Sequence, residues 1–166
     1  MSSGTQPASA FDHASFRAVL GHFATGVVVV TASDNGVPVG MTCNSFTSVS
    51  LDPPMVLFCA AKSSSTWPRI QSAGRFAVNF LDDDGEEICR LFAQKDADRF
   101  ARISHRAGRS GSPVLDDALA FVECETAAEH EAGDHVIVVG RAIELGSRSE
   151  GKPLVFFRGG YGRFEN

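Results

Sequence analysis

No apolar run in the 166 residues approaches the roughly 20 that a membrane-spanning helix needs, so no membrane partner is expected. Met1 to Ala10 lack the basic and apolar regions of a signal peptide, which predicts a cytoplasmic protein. Basic residues are outnumbered: 15 Lys and Arg against 20 Asp and Glu leave a net charge of −5, which argues against a nucleic-acid surface but leaves room for a local basic pocket that holds a phosphate. Cys43, Cys59, Cys89 and Cys124 form no Cys-x-x-Cys and have no paired histidines nearby. They read as reduced thiols, and no metal site is expected. Repeats and low-complexity tracts are missing. So is Gly-x-Gly-x-x-Gly, and strands and helices do not alternate regularly, which argues against a Rossmann domain. Any nicotinamide would bind without that fold.

What the chain does have is enough length for one domain with a real core. Residues 1–10 read as a disordered arm and residues 11–166 as a single domain. The organising stretch is Thr42 to Ser50, where Thr42, Cys43, Asn44, Ser45, Thr47, Ser48 and Ser50 carry hydroxyl, amide or thiol groups between apolar flanks. One reading is a strand whose backbone and hydroxyls face a flat polar ligand such as a flavin ring. The other is a half-buried strand with a polar outer face.

Around it the pattern is mostly β. Asp12 is a candidate N-cap, and Phe16, Val19, Leu20 and Phe23 form the stripe of an amphipathic helix. Val27 to Thr31 is a β-branched run suited to a strand buried on both faces, and Asn35-Gly36 predicts a hairpin pairing Val27–Ser33 with Val37–Asn44. Met55 to Ala60 is the next strand. Lys62-Ser-Ser-Ser-Thr-Trp-Pro68 then offers hydroxyl caps and a first-turn proline for a helix starting at Thr66 or Trp67. The hydroxyls of Ser63 to Thr66 with the Lys62 ammonium suit an anion, or simply an ordinary capped helix.

Phe76 to Leu81 reads as a strand, and Asp82-Asp-Asp84 as the acidic lead-in to a helix carrying Ile88, Leu91 and Phe92, in preference to a cation site. Arg99 pairs either with a ligand phosphate or with Asp96 or Asp98, the local pair being the default. Arg106 to Pro113 is a loop. Leu119–Ala127 and His135–Glu144 are strands, with His135 at a strand mouth, and residues 154–158 make the last strand. The Arg158-Gly-Gly160 triplet is only weak support for RNA binding. Short antiparallel strands with two or three inserted helices point to a β-barrel with flanking helices.

The order of these segments resembles the short-chain flavin reductases, the reductase component of two-component flavin-dependent monooxygenases. The likeness rests on Phe23-Ala-Thr-Gly-Val-Val-Val-Val-Thr31, the run Pro38 to Pro54, Gly74 to Asn79, Gly133-Asp-His135 and Phe157 to Tyr161. It implies a mainly β, FMN-binding type split barrel, a homodimer, binding of FAD or FMN, and hydride supply from NADH or NADPH; NADH is expected, since none of Arg99, Arg141 and Arg158 is assigned to a 2′-phosphate. Reduced flavin would pass to a separate monooxygenase. By position it implies flavin-ring contacts from Gly40, Met41, Thr42, Cys43, Asn44, Ser45, Ser48, Val49 and Ser50. Phosphate contacts fall to Lys62, Ser63, Ser65 and Thr66. Phe80, Arg99 and Phe100 would approach the far side or tail, and Thr25, His135 and Tyr161 would border the nicotinamide. Cys43 reads as packing. No acid–base residue is expected to be essential, since the cofactors carry the chemistry. Two competing readings remain: an oxidase of the same barrel class with tightly held FMN, and a noncatalytic flavin-binding module.

Overall fold

Three residues decide the shape of the main sheet. In the computed structural model, which describes residues 10–95 and 98–165, seven antiparallel strands are ordered β3-β2-β6-β9-β10-β5-β4. The chain order begins with α1 (His13–Leu20), β1 (Thr25–Gly26), β2 (Val28–Asp34), β3 (Val37–Cys43), β4 (Thr47–Leu51), β5 (Pro54–Ala61), α2 (Trp67–Ala73), β6 (Arg75–Leu81) and α3 (Glu86–Ala93). After a 3₁₀ turn at Phe100–Arg102 come β7 (His105–Ala107), β8 (Pro113–Leu115), β9 (Ala118–Ala132), β10 (His135–Ser147), β11 (Leu154–Phe157) and β12 (Gly160–Arg163). Strands β3 and β4 are the two opposite edges of the sheet, yet only residues 44–46 separate them. Four steps of chain reach at most about 14 Å. The sheet therefore has to roll until its edges meet, which gives a split barrel with no backbone ladder between β3 and β5.

This roll corrects the single strand expected across Thr42 to Ser50: the chain leaves one edge at Cys43 and joins the other at Thr47. The Asn35-Gly36 hairpin is present, with φ of 51° and 83° as a type I′ turn requires. The β-branched run is buried on both faces. Val28 and Val30 join the barrel interior with Phe58, Phe76, Val78 and Val138, while Val27 and Val29 join an outer cluster with Leu81, Phe92 and Leu154. Trp67 and Ile70 from α2 plug the interior, and Phe58 meets Trp67 and Phe76 edge-on.

The buried side chains of Thr31, Asn79 and Glu123 are paired. Asn79 Nδ2 donates to Val29 O and Thr31 Oγ1, both at 3.1 Å, and its Oδ1 accepts from Leu115 N at 2.9 Å. Thr31 Oγ1 donates to Pro113 O at 2.5 Å. Fully buried Glu123 accepts from Arg109 N, Ser110 N and Ser110 Oγ, which anchors the loop at residues 108–112; the expected loop from Arg106 to Pro113 is shorter because its ends pair as β7 and β8.

Other expectations shift. Asp12 does cap α1 through Ser15 N at 2.7 Å, but the apolar stripe points outward: Val19 is 68 % and Phe23 79 % exposed. Asp82 to Asp84 precede α3, and Glu86 and Glu87 fill its first turn. Asp82 pairs with Arg148, and Asp84 with Arg163 at 3.0 Å. Arg158 (φ 50°) and Gly159 (φ 77°) turn the chain into β12, so the glycine-rich tail is the return strand of a hairpin. The arm at residues 1–10 lies outside the described residues apart from Ala10, as does Asp96.

Gly40 sets how closely α3 can approach β3, because a Cβ there would come within 2.8 Å of Phe92 Cε1. Gly40→Ala is expected to destabilise the fold by about 1–3 kcal/mol, with part of the loss restored by Phe92→Leu. Urea unfolding of the single and double variants checks this; a neutral single variant would refute it.

Candidate functional site

The open seam between β3 and β5 forms a cleft of about 450 Å³. One wall is the end of β3 and the crossing segment, Met41 to Ser45; the opposite wall is Cys59 and Ala61 of β5 with Ser63 to Thr66. The end of α3 and its continuation, Phe92 to Lys95, form the roof, and Arg99 and His135 complete the lining. Because β3 has a ladder partner on one side only, its other edge presents backbone N–H and C=O groups outside the ladder, of which Gly40 O accepts from Arg99.

The Ser45 hydroxyl bridges the seam, with a longer contact from Cys43 Sγ to Cys59 O at 4.0 Å beside it. Ser45 Oγ accepts from Cys59 N at 2.9 Å, donates to Cys59 O at 3.2 Å and lies 2.9 Å from Cys43 Sγ. Burial pushes the Cys43 thiol pKa up, partly offset by the Ser45 hydrogen bonds, so it stays a protonated packing group. Thr42 Oγ1 is also committed, donating to Cys89 O of α3 at 2.7 Å. Ser64 Oγ accepts from Thr66 N and Trp67 N at 3.2 Å, and it, not Thr66, caps α2. Among the described residues, the side chains of Asn44, Ser63, Ser65 and Lys95 carry no hydrogen bond or ion pair. They are the polar groups the cleft keeps for a ligand. Arg99 crosses its floor, with Nη1 donating to Gly40 O at 2.5 Å and Thr66 Oγ1 at 3.3 Å and Nη2 donating to Gln94 O.

Of the residues singled out from the sequence, the structure gathers Met41, Thr42, Cys43, Asn44, Ser45, Ser63, Ser65, Thr66, Arg99 and His135 in this cleft. His135 Nδ1 donates to Asp134 Oδ1 at 2.7 Å, which holds the Asp134 carboxyl below its ordinary pKa and leaves Nε2 for another partner.

The others lie elsewhere. Lys62 Nζ pairs with Glu131 and does not line the cleft. Ser48, Val49 and Ser50 ride on β4, which pairs with the half of β5 away from the seam. Phe80 packs on Phe46, centroids 5.1 Å apart, beside a separate apolar cavity of about 190 Å³. Gly40 and Phe100 face a neighbouring groove. Thr25 belongs to β1, and its buried Oγ1 has no hydrogen-bond partner among the described residues. Tyr161 sits against α3, its hydroxyl accepting from Cys89 Sγ at 3.1 Å; this bond and burial push the phenol to about 12.

Sequence reasoning missed Cys59, Ala61 and the Phe92–Lys95 roof. The only available signal was Lys95 just past the end of an amphipathic helix, and it does not say which way that helix lies.

Residues 20–165 match the family described as flavin reductase like domain. The chain belongs to that family. It is similar to a flavin reductase of Pseudomonas putida, 48 % identical over 94 % of this chain and 92 % of the relative. A reductase subunit of a flavin-dependent monooxygenase from Rhodococcus jostii is 43 % identical over 95 % of this chain and 81 % of its own length. Among solved structures, an NADH:FAD oxidoreductase of Streptomyces globisporus in complex with NAD and FAD fragments superposes with a TM-score of 0.89 at 38 % identity, covering 93 % of each chain. The family match thus spans the whole rolled sheet and the chain from β1 to β12.

Ser45→Ala removes both contacts to Cys59 and leaves its part-buried N–H without that acceptor. The expected cost is about 1–3 kcal/mol, with faster hydrogen exchange at the Cys59 amide. Unchanged melting and exchange would show that the seam is held by something else.

Proposed function

We propose that this flavin reductase uses NADH to reduce FAD or FMN and releases the reduced flavin to a separate flavin-dependent monooxygenase, as an NADH-dependent enzyme of the EC 1.5.1 type. The observation that carries the reading is the cleft itself: an edge strand with open backbone groups, a small set of uncommitted side chains, and two cations, Lys95 and Arg99. Relatives named as flavin reductase and monooxygenase reductase subunit, and a neighbour solved with NAD and FAD fragments, support it.

The donor set fits a flavin. Alternating backbone donors and acceptors along β3 match the polar edge of the ring, with the Asn44 amide beside them. Ser63, Ser65 and Thr66 hydroxyls with Lys95 and Arg99 suit its phosphate. The bound pair of cofactors supplies the hydride chemistry, from nicotinamide C4 to flavin N5. The protein's residues bind, orient and neutralise: β3 backbone N–H groups and the two cations favour the negative charge that reduction adds, and His135 positions the nicotinamide from the cleft mouth. Thr25, with its unpartnered Oγ1, and Tyr161 are assigned to the nicotinamide side. Lys62 remains a phosphate contact only by exchanging Glu131 for the ligand.

A homodimer in the cytoplasm completes the reading. The outward stripe of α1, with Phe16, Val19, Leu20 and Phe23, is an apolar face suited to a subunit contact. Among the described residues no helix is long and apolar enough to cross a membrane.

NADH oxidation in air is expected to be negligible with protein alone and rapid once FMN or FAD is added. Absence of flavin-dependent NADH loss, with flavin still bound, would sink the reductase reading; flavin retained through extensive dilution would point to an oxidase instead. His135→Ala is expected to raise KM for NADH about three- to tenfold and leave kcat within about twofold, the scale of one lost hydrogen bond. Complete loss of turnover in a folded, flavin-binding variant would contradict this role.

A further inference from the structure

Gly40 and Thr42 are two apart on β3, so both point to one face of the strand, opposite to the interior cluster that takes Val39 and Cys43. That outer face is where α3 rests. Gly40 meets the Phe92 ring and Thr42 Oγ1 donates to Cys89 O at 2.7 Å, and Cys89 and Phe92, three apart, share one face of the helix. The two contacts restrain different motions. A bare Cα against a ring sets how near the helix lies, whereas a hydrogen bond to one particular carbonyl sets its position along its own axis, where each residue advances about 1.5 Å.

What that axial position controls is the end of the helix. Helix α3 stops at Ala93, Gln94 N closes the last turn on Leu91 O at 3.3 Å, and the chain leaves in an extended conformation straight into Lys95 at the roof of the cleft. A helix C-terminus carries partial negative charge, which disfavours a phosphate nearby. Lys95, with the Arg99 guanidinium on Gln94 O, covers that end with positive charge. Among the described residues the Lys95 ammonium has no ion pair, and it shares the cleft with the unbonded Ser63 and Ser65 hydroxyls.

We propose that Thr42 is a positioning residue for phosphate recognition: its hydroxyl, acting through Cys89 O and α3, sets where Lys95 stands over the flavin phosphate, and it does not read the ring. The assignment rests on the reductase reading. It departs from the ring contact that position in the chain implies for Thr42, and the two roles affect different ligands. A ring contact is common to riboflavin and FMN, whereas Lys95 acts on the phosphate that riboflavin lacks.

Equilibrium titrations with FMN and with riboflavin are compared for the wild type, Thr42→Ser, Thr42→Val, Lys95→Met and the double variant Thr42→Val with Lys95→Met, each well below its own melting temperature. Lys95→Met should weaken FMN about tenfold, the scale of a charge-assisted contact, and Thr42→Val about three- to tenfold, both leaving riboflavin within about twofold. Thr42→Ser keeps the hydroxyl and should keep FMN within about twofold. The double variant should bind FMN within about twofold of Lys95→Met, because the hydroxyl acts through that ammonium. Riboflavin weakened as much as FMN in Thr42→Val makes the threonine a ring contact and overturns the assignment. So do additive losses in the double variant, a serine variant as weak as the valine one, or FMN affinity unmoved by Thr42→Val or Lys95→Met. A valine variant too unstable to titrate is replaced by Thr42→Ala, held to the same outcomes. Failure of the wild type to bind either flavin overturns the reductase reading itself, whereas the variant outcomes bear on the assignment alone.

Discussion

The Ser45 hydroxyl, just past the end of β3, pins the crossing segment to β5 where the main sheet has no ladder, and the cleft lies along this side-chain contact. A continuous set of β3–β5 hydrogen bonds would consume the backbone groups on both edges and close the space between them. The short crossing at residues 44–46 and the packed interior keep the two sides of the seam near each other. One bidentate hydroxyl fixes the distance while leaving the edge of β3 available.

The second constraint is the seat of α3. Three contacts set it: Phe92 against the bare Cα of Gly40, Thr42 Oγ1 to Cys89 O, and Cys89 Sγ to Tyr161 OH. Burial raises the Cys89 thiol pKa, so it remains the donor in the last of these. Together they tie the edge strand, the roof helix and the C-terminal hairpin into one unit, which places Gln94 and Lys95 over the cleft and lets Arg99 reach back to Gly40. Several polar side chains in the motif are thereby structural, and the ligand is left with backbone groups and a few uncommitted amide, hydroxyl and cationic side chains.

Such an arrangement is economical for a reaction whose difficult step belongs to the cofactors. Hydride transfer between bound cofactors asks for stacked rings, an open face and compensation of added negative charge, and in the proposed reading the β3 edge, Lys95 and Arg99 would supply the last of these. The barrel core beneath it is stiff: interlocked Phe58, Phe76 and Trp67 inside, and the Thr31–Asn79 pair tying β2, β6 and β8. A site on rigid strands keeps its geometry between turnovers, as a protein that exchanges its flavin requires.

Local order was legible in the residues. Asn35-Gly36 specified its hairpin through positive φ, the Val27–Thr31 run its two-sided burial, Pro68 and Gly74 the limits of α2, and the polar stretch the place of the cleft. These follow from backbone sterics and side-chain period, which act over a few residues. The orientation of each polar group depended on contacts far away in the chain. Thr42 turned to a helix 47 residues on, Ser45 to a strand 14 residues on, and Arg99 to a carbonyl 59 residues back. Phe80 and Ser48–Ser50 were assigned to the site by position in the chain and lie elsewhere in this subunit, because the rolled sheet faces them another way. Sequence alone therefore determined which segments are strands and where polar groups concentrate. Only the tertiary structure decided which of those groups are spent on the fold and which remain for a ligand, because a hydroxyl or amide has few bonding sites and the packing determines which are used first.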